Sequence, residues 1–354
     1  MKQISPNIFA VLLFATLSTR AVTTNAAPDF KEVYDLLRAN LPGATDAELN
    51  QAAVQGLVAG LRGRAMLVAN VSKPAPVMSA PLVSKSTILD GGVAYVRVAR
   101  VADGLANAVS EAAQHLATSN KLKGVVLDLR FAEGDDYAAA AATADLFLAK
   151  TRRLLDWGNG MVESKAKKDA LISPVAVLVN GETDGAAEAL AAVLRKTGAG
   201  LVLGSRTAGR AAVMREFPLK NGERLRVAAT AVKLADGSAL SPDGLKPDIE
   251  VKVKAADEGI YFADAYANLG KTNRLASASG MLTNQADGTN PPARRRVNEA
   301  DLVRARREGR DAEPDTAAED REPGPERAVL RDPVLARALD LLQGLALVRT
   351  TRAE

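Results

Sequence analysis

Residues 124–130 read Gly-Val-Val-Leu-Asp-Leu-Arg, an almost unbroken apolar run closed by charge. Pro174 to Asn180 has the same character. A strand with one wet face alternates apolar and polar side chains. A run that is apolar on both faces of its pleat belongs in the middle of a sheet with layers on either side, as parallel sheets do. Helical patterns flank these runs: Leu105 to Thr118, the alanine-rich Tyr137 to Leu148, and Ala186 to Lys196. Gly92 to Val98 adds a strand with alternating faces and Gly200 to Gly204 a short one. Strand–helix alternation of this kind predicts an α/β fold with a mostly parallel sheet of βαβ units.

The pattern then changes. Glu216 to Leu219 and Leu225 to Thr230 flank Asn221-Gly222, which predicts a hairpin with a type I′ turn. Ala231 to Leu234 and Pro247 to Val251 close this β region, so the core is expected over residues 87–255. Ahead of it, Phe30, Val33, Leu36 and Leu37 recur at helix spacing, and Thr45 with Glu48 forms a capping box that opens a second helix. These helices fill residues 27–62, and residues 63–86 read as a linker. Residues 256–327 turn polar and charge-mixed, with Arg294-Arg295-Arg296 and one short helix expected over Asn298 to Arg307. This composition predicts a largely disordered, solvated linker. Residues 328–354 hold a last helix whose Leu335, Leu339, Leu342 and Leu345 form one stripe that must dock on something.

Residues 1–26 read as a secretory signal: Lys2, an apolar run from Ile8 to Leu17, then small residues before Ala27. The run is shorter than the ~20 residues of a membrane-spanning helix. The mature chain is therefore expected in the periplasm or outside the cell, with no stable membrane span.

What is missing from the chain narrows the chemistry. With no cysteine there is no disulfide, thiol nucleophile or zinc–cysteine site. The single histidine, His115, falls in a helical pattern without polar company and reads as a surface residue, so neither a multi-histidine metal site nor an ordinary serine–histidine triad is expected. No cofactor or metal is expected. With 46 basic against 42 acidic residues, charge gives no reason to expect nucleic acid as a partner.

The stretch 93–251 resembles the catalytic core of the tail-specific proteases, the C-terminal processing peptidases. Leu127-Asp128-Leu129-Arg130 is similar to the family's L-D-L-R strand end, Ala144 to Leu148 to its A-D-L-F-L helix end, and Val177 to Gly181 to the strand before its nucleophile. Gly204-Ser205-Arg206-Thr207-Ala208-Gly209 fits G-x-x-T-x-G, and Phe217-Pro218-Leu219 and Pro247 to Val251 fit the closing β segment. The helices at 30–62 and 332–342 resemble its flanking helices. The resemblance implies a Clp protease/crotonase-like fold and a serine peptidase with a Ser/Lys dyad. In such a dyad an unprotonated lysine takes the serine's proton and backbone N–H groups hold the oxyanion.

The residues that should do this work are absent. The family's S-A-S-A-S-E is here Thr183-Asp184-Gly185-Ala186-Ala187-Glu188, which puts Gly185 at the nucleophile position. The family's lysine position falls on Arg210, whose pKa above ~12 rules it out as a base. Its supporting glutamine is Met214. In place of N-x-P-G-G stands Phe131-Ala132-Glu133-Gly134-Asp135, which keeps Gly134 as a candidate oxyanion donor but sets a carboxylate beside it. Residues 63–86 are too few for the PDZ domain the family commonly carries. The resemblance thus implies a pseudo-peptidase of the cell envelope that binds extended peptides or a partner protein as scaffold or regulator. The rival reading is an active serine-type peptidase whose nucleophile has moved to Thr183 or Ser205, with Lys196, Asp184 or Glu188 as base. Thr183, Ser205, Ser238 and Ser241 otherwise read as turn and cap chemistry. A carrier of small acyl ligands, which the fold also hosts, ranks last.

Overall fold

The structure is a computed structural model. It describes residues 27–61, 63–69, 81–118, 121–171, 173–268 and 329–351. The leader at 1–26, the arginine triplet and the helix expected at 298–307 lie outside the described residues. The chain divides into two units, residues 1–62 and 63–354.

The first unit is a helical hairpin of α1 (Phe30–Asn40) and α2 (Asp46–Gly60). The expected capping box is present: Thr45 Oγ1 accepts the Glu48 N–H at 3.2 Å, and the Glu48 carboxylate accepts the Thr45 N–H at 2.9 Å. Tyr34 ties the helices together by donating to Asn50 at 2.8 Å.

The second unit is built on a six-stranded sheet in the order β11-β7-β6-β4-β3-β2. Its strands are β2 (Val83–Leu89), β3 (Val93–Val98), β4 (Gly124–Asp128), β6 (Val175–Val179), β7 (Gly200–Gly204) and β11 (Ile249–Glu250). All neighbours pair in parallel except β2, which runs antiparallel to β3. Every residue of β4 and β6 is buried, as their continuous apolar runs require.

One face of the sheet is covered by α3 (Leu105–Thr118), α4 (Tyr137–Asp145) and α5 (Ala186–Lys196). Helix α3 buries Leu105, Val109, Ala113 and Leu116 and leaves His115 exposed. Helices α4 and α5 bury mostly alanine, so their backbones pack close together and against the strands. The opposite face is covered by α7 (Pro333–Thr351), which presses Val334, Leu335, Ala338, Leu339 and Leu342 onto Val93, Val126, Ala176 and Leu178. The last helix therefore docks in cis. Leu345, expected in the same stripe, is 48% exposed and takes no part in that packing. Short helix α6 (Ala255–Ala263) lies between, and its following turn accepts the N–H groups of Arg331 and Asp332.

Three features depart from expectation. Helix α6 occupies the start of the 256–327 stretch that composition reads as a disordered linker. Residues 63–86 are not a bare linker: β1 (Ala65–Val68) and most of β2 fall in them. Strand β1 pairs with β9 (Arg224–Ala231), and β9 with β8 (Ala212–Pro218), in a separate antiparallel sheet. The β8–β9 connection is not a type I′ turn, because only Gly222 has positive φ (88°) and Asn221 does not. The Asn221 side chain instead accepts the Glu223 N–H at 3.1 Å, and Gly222 N–H reaches the Leu219 carbonyl at 3.1 Å. A pair of two-residue strands, β5 (Leu155–Asp156) and β10 (Lys233–Leu234), completes the unit.

Candidate functional site

Three loops leave the C-terminal ends of β4, β6 and β7, the end of an open α/β sheet where ligands usually bind. They carry residues 129–135, 180–185 and 205–210. The first begins with Phe131 at φ 59°, the one positive-φ residue other than glycine among the described residues. Its N–H donates to the Asn180 side chain at 3.0 Å, and its ring lies 4.7 Å from that of Phe262.

The first two loops are sewn together by backbone. Asp184 N–H donates to the Ala132 carbonyl at 2.9 Å, and Ala186 N–H to the Gly134 carbonyl at 2.7 Å. Gly185 sits between them at φ 59°, ψ −117°, a conformation open chiefly to glycine. A Cβ on Gly185 would lie 2.2 Å from the Gly134 carbonyl oxygen. Residue 185 thus has no room for a side chain of any kind. The carbonyl of Gly134 faces the start of α5 and accepts the Ala186 N–H. Asp135 is 79% exposed and meets Arg226 at 3.3 Å.

Arg210 is pinned. Its Nε donates to one oxygen of Asp184 at 2.9 Å, its Nη2 meets the same oxygen as an ion pair at 2.7 Å, and its backbone N–H donates to Glu188 at 2.8 Å. The bond to Asp184 holds the guanidinium still more firmly protonated. Glu188 is the knot of the site: it accepts from the Thr207 hydroxyl, from Gly209 N–H at 2.7 Å, from Arg210 N–H and from Gly185 N–H at 3.2 Å. Burial pushes its carboxyl above the usual range, against the pull of those donors. Its role is to join the start of α5 to the 205–210 loop.

Between the loops and β8 opens a cleft of about 270 Å³, lined among others by Arg100, Glu133, Tyr137, Gly185, Arg210 and Met214. Met214 lines it from β8. Tyr137 donates to the Ala212 carbonyl at 3.0 Å, and burial raises its pKa.

The alternative nucleophiles are occupied or elsewhere. Thr183 is fully buried, donating to the Leu129 carbonyl at 2.9 Å and accepting the Asn180 N–H at 2.9 Å. Ser205 is not among the lining residues of the cleft. Lys196 pairs with Asp236 at 2.5 Å, the Ser238 hydroxyl bonds the same carboxylate, and Ser241 caps the turn at Asp243. Gly134, Gly185, Arg210 and Met214, singled out in the sequence, line this one cleft. Sequence reasoning missed Arg100, Tyr137 and Arg226, which reach the cleft from β3's end, α4 and β9. No spacing in the chain links them. Among the described residues no cluster of acidic residues or histidine could hold a metal, and no helix is long and apolar enough to cross a membrane.

Residues 92–251 match peptidase family S41. The carboxy-terminal processing protease CtpA of Bacillus subtilis is 26% identical over 172 residues, which are 48% of this chain and 37% of that protein. The carboxy-terminal-processing protease of Bartonella bacilliformis is 27% identical over 172 residues, 46% of this chain and 40% of that protein. The chain thus spans well under half the length of these relatives. Among solved structures, a candidate peptidase from Parabacteroides merdae superposes with a TM-score of 0.51 over 67% of this chain and 86% of that one, at 20% identity.

Proposed function

We propose that this chain, whose residues 92–251 form a peptidase family S41 core, holds extended polypeptide without cutting it. One observation carries the reading. The place of the nucleophile is a glycine whose missing Cβ leaves no gap, because the Gly134 carbonyl stands 2.2 Å from where it would be. The guanidinium of Arg210, locked to Asp184, offers no base. The core keeps what peptide holding needs: a cleft and, beside it, β8 at the edge of its sheet, where a strand can add. Such a protein would act in the envelope as a scaffold or as a regulator of an active peptidase. The leader-like composition of residues 1–26 supports that location, and N-terminal sequencing of the secreted form checks the point.

The test is hydrolysis of fluorescent casein by the purified mature chain, together with labelling by a serine-directed phosphonate. The expected outcome is no cleavage and no label. Cleavage with a label on Ser205 or another hydroxyl overturns the reading and restores the rival of a relocated nucleophile.

A further inference from the structure

The cleft is ringed by three arginines and three carboxylates. Their pairing is unequal. Asp184 is consumed by Arg210 through one hydrogen bond at 2.9 Å and an ion-pair contact at 2.7 Å. Asp135 meets Arg226 only at 3.3 Å and is largely in water. Arg100 has no partner: among the described residues no ion pair or hydrogen bond reaches its side chain, and its Nε is shut off from solvent without an acceptor.

A buried N–H without an acceptor costs free energy, more so on a charged group. Such atoms are rare in folded proteins and call for a physical reason. The buried cation Arg130, 1% exposed, faces both Asp128 and Asp332, whereas Arg100 is half-buried. Arg100 differs in lining the cleft. Its backbone is fixed there by the bond from Val101 N–H to the Glu133 carbonyl at 2.8 Å, so its place at the rim is set by the loop that also builds the site.

We infer that Arg100 is the docking point for a carboxylate of the bound ligand. The inference rests on the peptide-holding reading and deepens it. A planar carboxylate in the cleft matches the guanidinium and would give a charge partner to the one arginine lining the cleft that has none among the described residues. A doubly charged phosphate fits less well, since Glu133, Asp135 and Asp184 all face the same space. The exposed Glu133 opposes any anion, but water screens it. A peptide has two sources of carboxylate: an acidic side chain and its own C-terminus.

The experiment uses the full chain and labelled, unstructured peptides read by fluorescence anisotropy. The peptides differ by one Glu or Gln, each with a free or an amidated C-terminus. A carboxylate at the right place is expected to tighten binding roughly ten- to a hundredfold, the range for a hydrogen bond to a charged group. Whether the Glu or the free C-terminus brings the gain names the source. Arg100→Gln is expected to erase that preference, so that the Glu and Gln peptides and the free and amidated C-termini bind alike. Arg100→Lys is expected to keep part of it, having charge without the fork. An unchanged preference in Arg100→Gln, or no preference in the wild type, overturns the inference. A second probe stands apart from peptides: N-acetylglutamate titrated to tens of millimolar while the arginine Nε–H signals are followed by NMR. If Arg100 shifts but no peptide binds, the peptide-holding reading falls and the carboxylate site stands. If Arg100 does not shift, the inference falls whatever the peptides do.

Discussion

Restoring a serine at residue 185 should damage the protein rather than revive it. Gly185→Ser places a Cβ 2.2 Å from the Gly134 carbonyl oxygen, far inside van der Waals contact, and the obstacle is backbone rather than a movable side-chain tip. Residue 185 also has φ 59° and ψ −117°, which costs a residue with a side chain about 1–3 kcal/mol. Relief requires the 131–134 loop to retreat, which breaks the 2.7 Å bond from Ala186 N–H to Gly134. Leaving those buried groups unpaired adds about 1–3 kcal/mol. The expected loss is therefore about 2–6 kcal/mol, read as a lower urea midpoint at unchanged slope. Gly160→Ser is the control: φ is 92° there too, but nothing lies within 4 Å of an added Cβ, so only the backbone part of the cost applies. The double variant Gly185→Ser with Arg210→Lys should be as unstable as the single one and should not cleave casein. A serine variant within ~0.5 kcal/mol of wild type would refute the steric argument, and a gain of hydrolysis would refute the claim that the cleft cannot hold the nucleophile.

Two further predictions concern the anchor of the last helix. Asp332 is buried, accepts the N–H groups of Val334 and Leu335 at 3.0 and 3.1 Å, and meets Arg130 at 2.8 Å as a charge contact without hydrogen-bond alignment. Asp332→Ala should cost about 3 kcal/mol, the low end for breaking a buried pair because Asp128 remains with Arg130, and thermal unfolding should show it. Asp128 is held below its ordinary pKa of 3.8, since Arg130 and the hydroxyl of Tyr95 outweigh the cost of burial. A lowered folded pKa means the unfolded chain binds the proton more readily. The stabilisation is full above that ordinary value and is lost as pH falls through the folded value. Asp128→Asn should therefore lower stability at neutral pH and flatten the acid limb of a stability–pH curve, and an unchanged acid limb would count against the network.

The sequence alone carried the sheet's interior and most of the site's membership. Continuous apolar runs at 124–130 and 174–180 can be satisfied only between two layers, and the strands appear there. Gly185, Arg210 and Met214 were legible because the motif order that carries a resemblance lies along the chain. Periodicity failed where pairing is distant: β1 is four residues with no pattern of its own, and it becomes a strand only because β9 runs beside it. The turn at Asn221-Gly222 misled because its Asn side chain could bond the backbone of Glu223 instead of adopting positive φ. Only the tertiary structure decided that the Gly134 carbonyl fills the space at Gly185, that Glu188 joins α5 to the 205–210 loop, and that Arg100 reaches the cleft without a partner among the described residues. Each depends on groups far apart in the chain meeting within about 3 Å, the short-range geometry on which hydrogen bonds and steric exclusion turn. Residue types and their order do not encode such meetings until the sheet has brought its strand ends together.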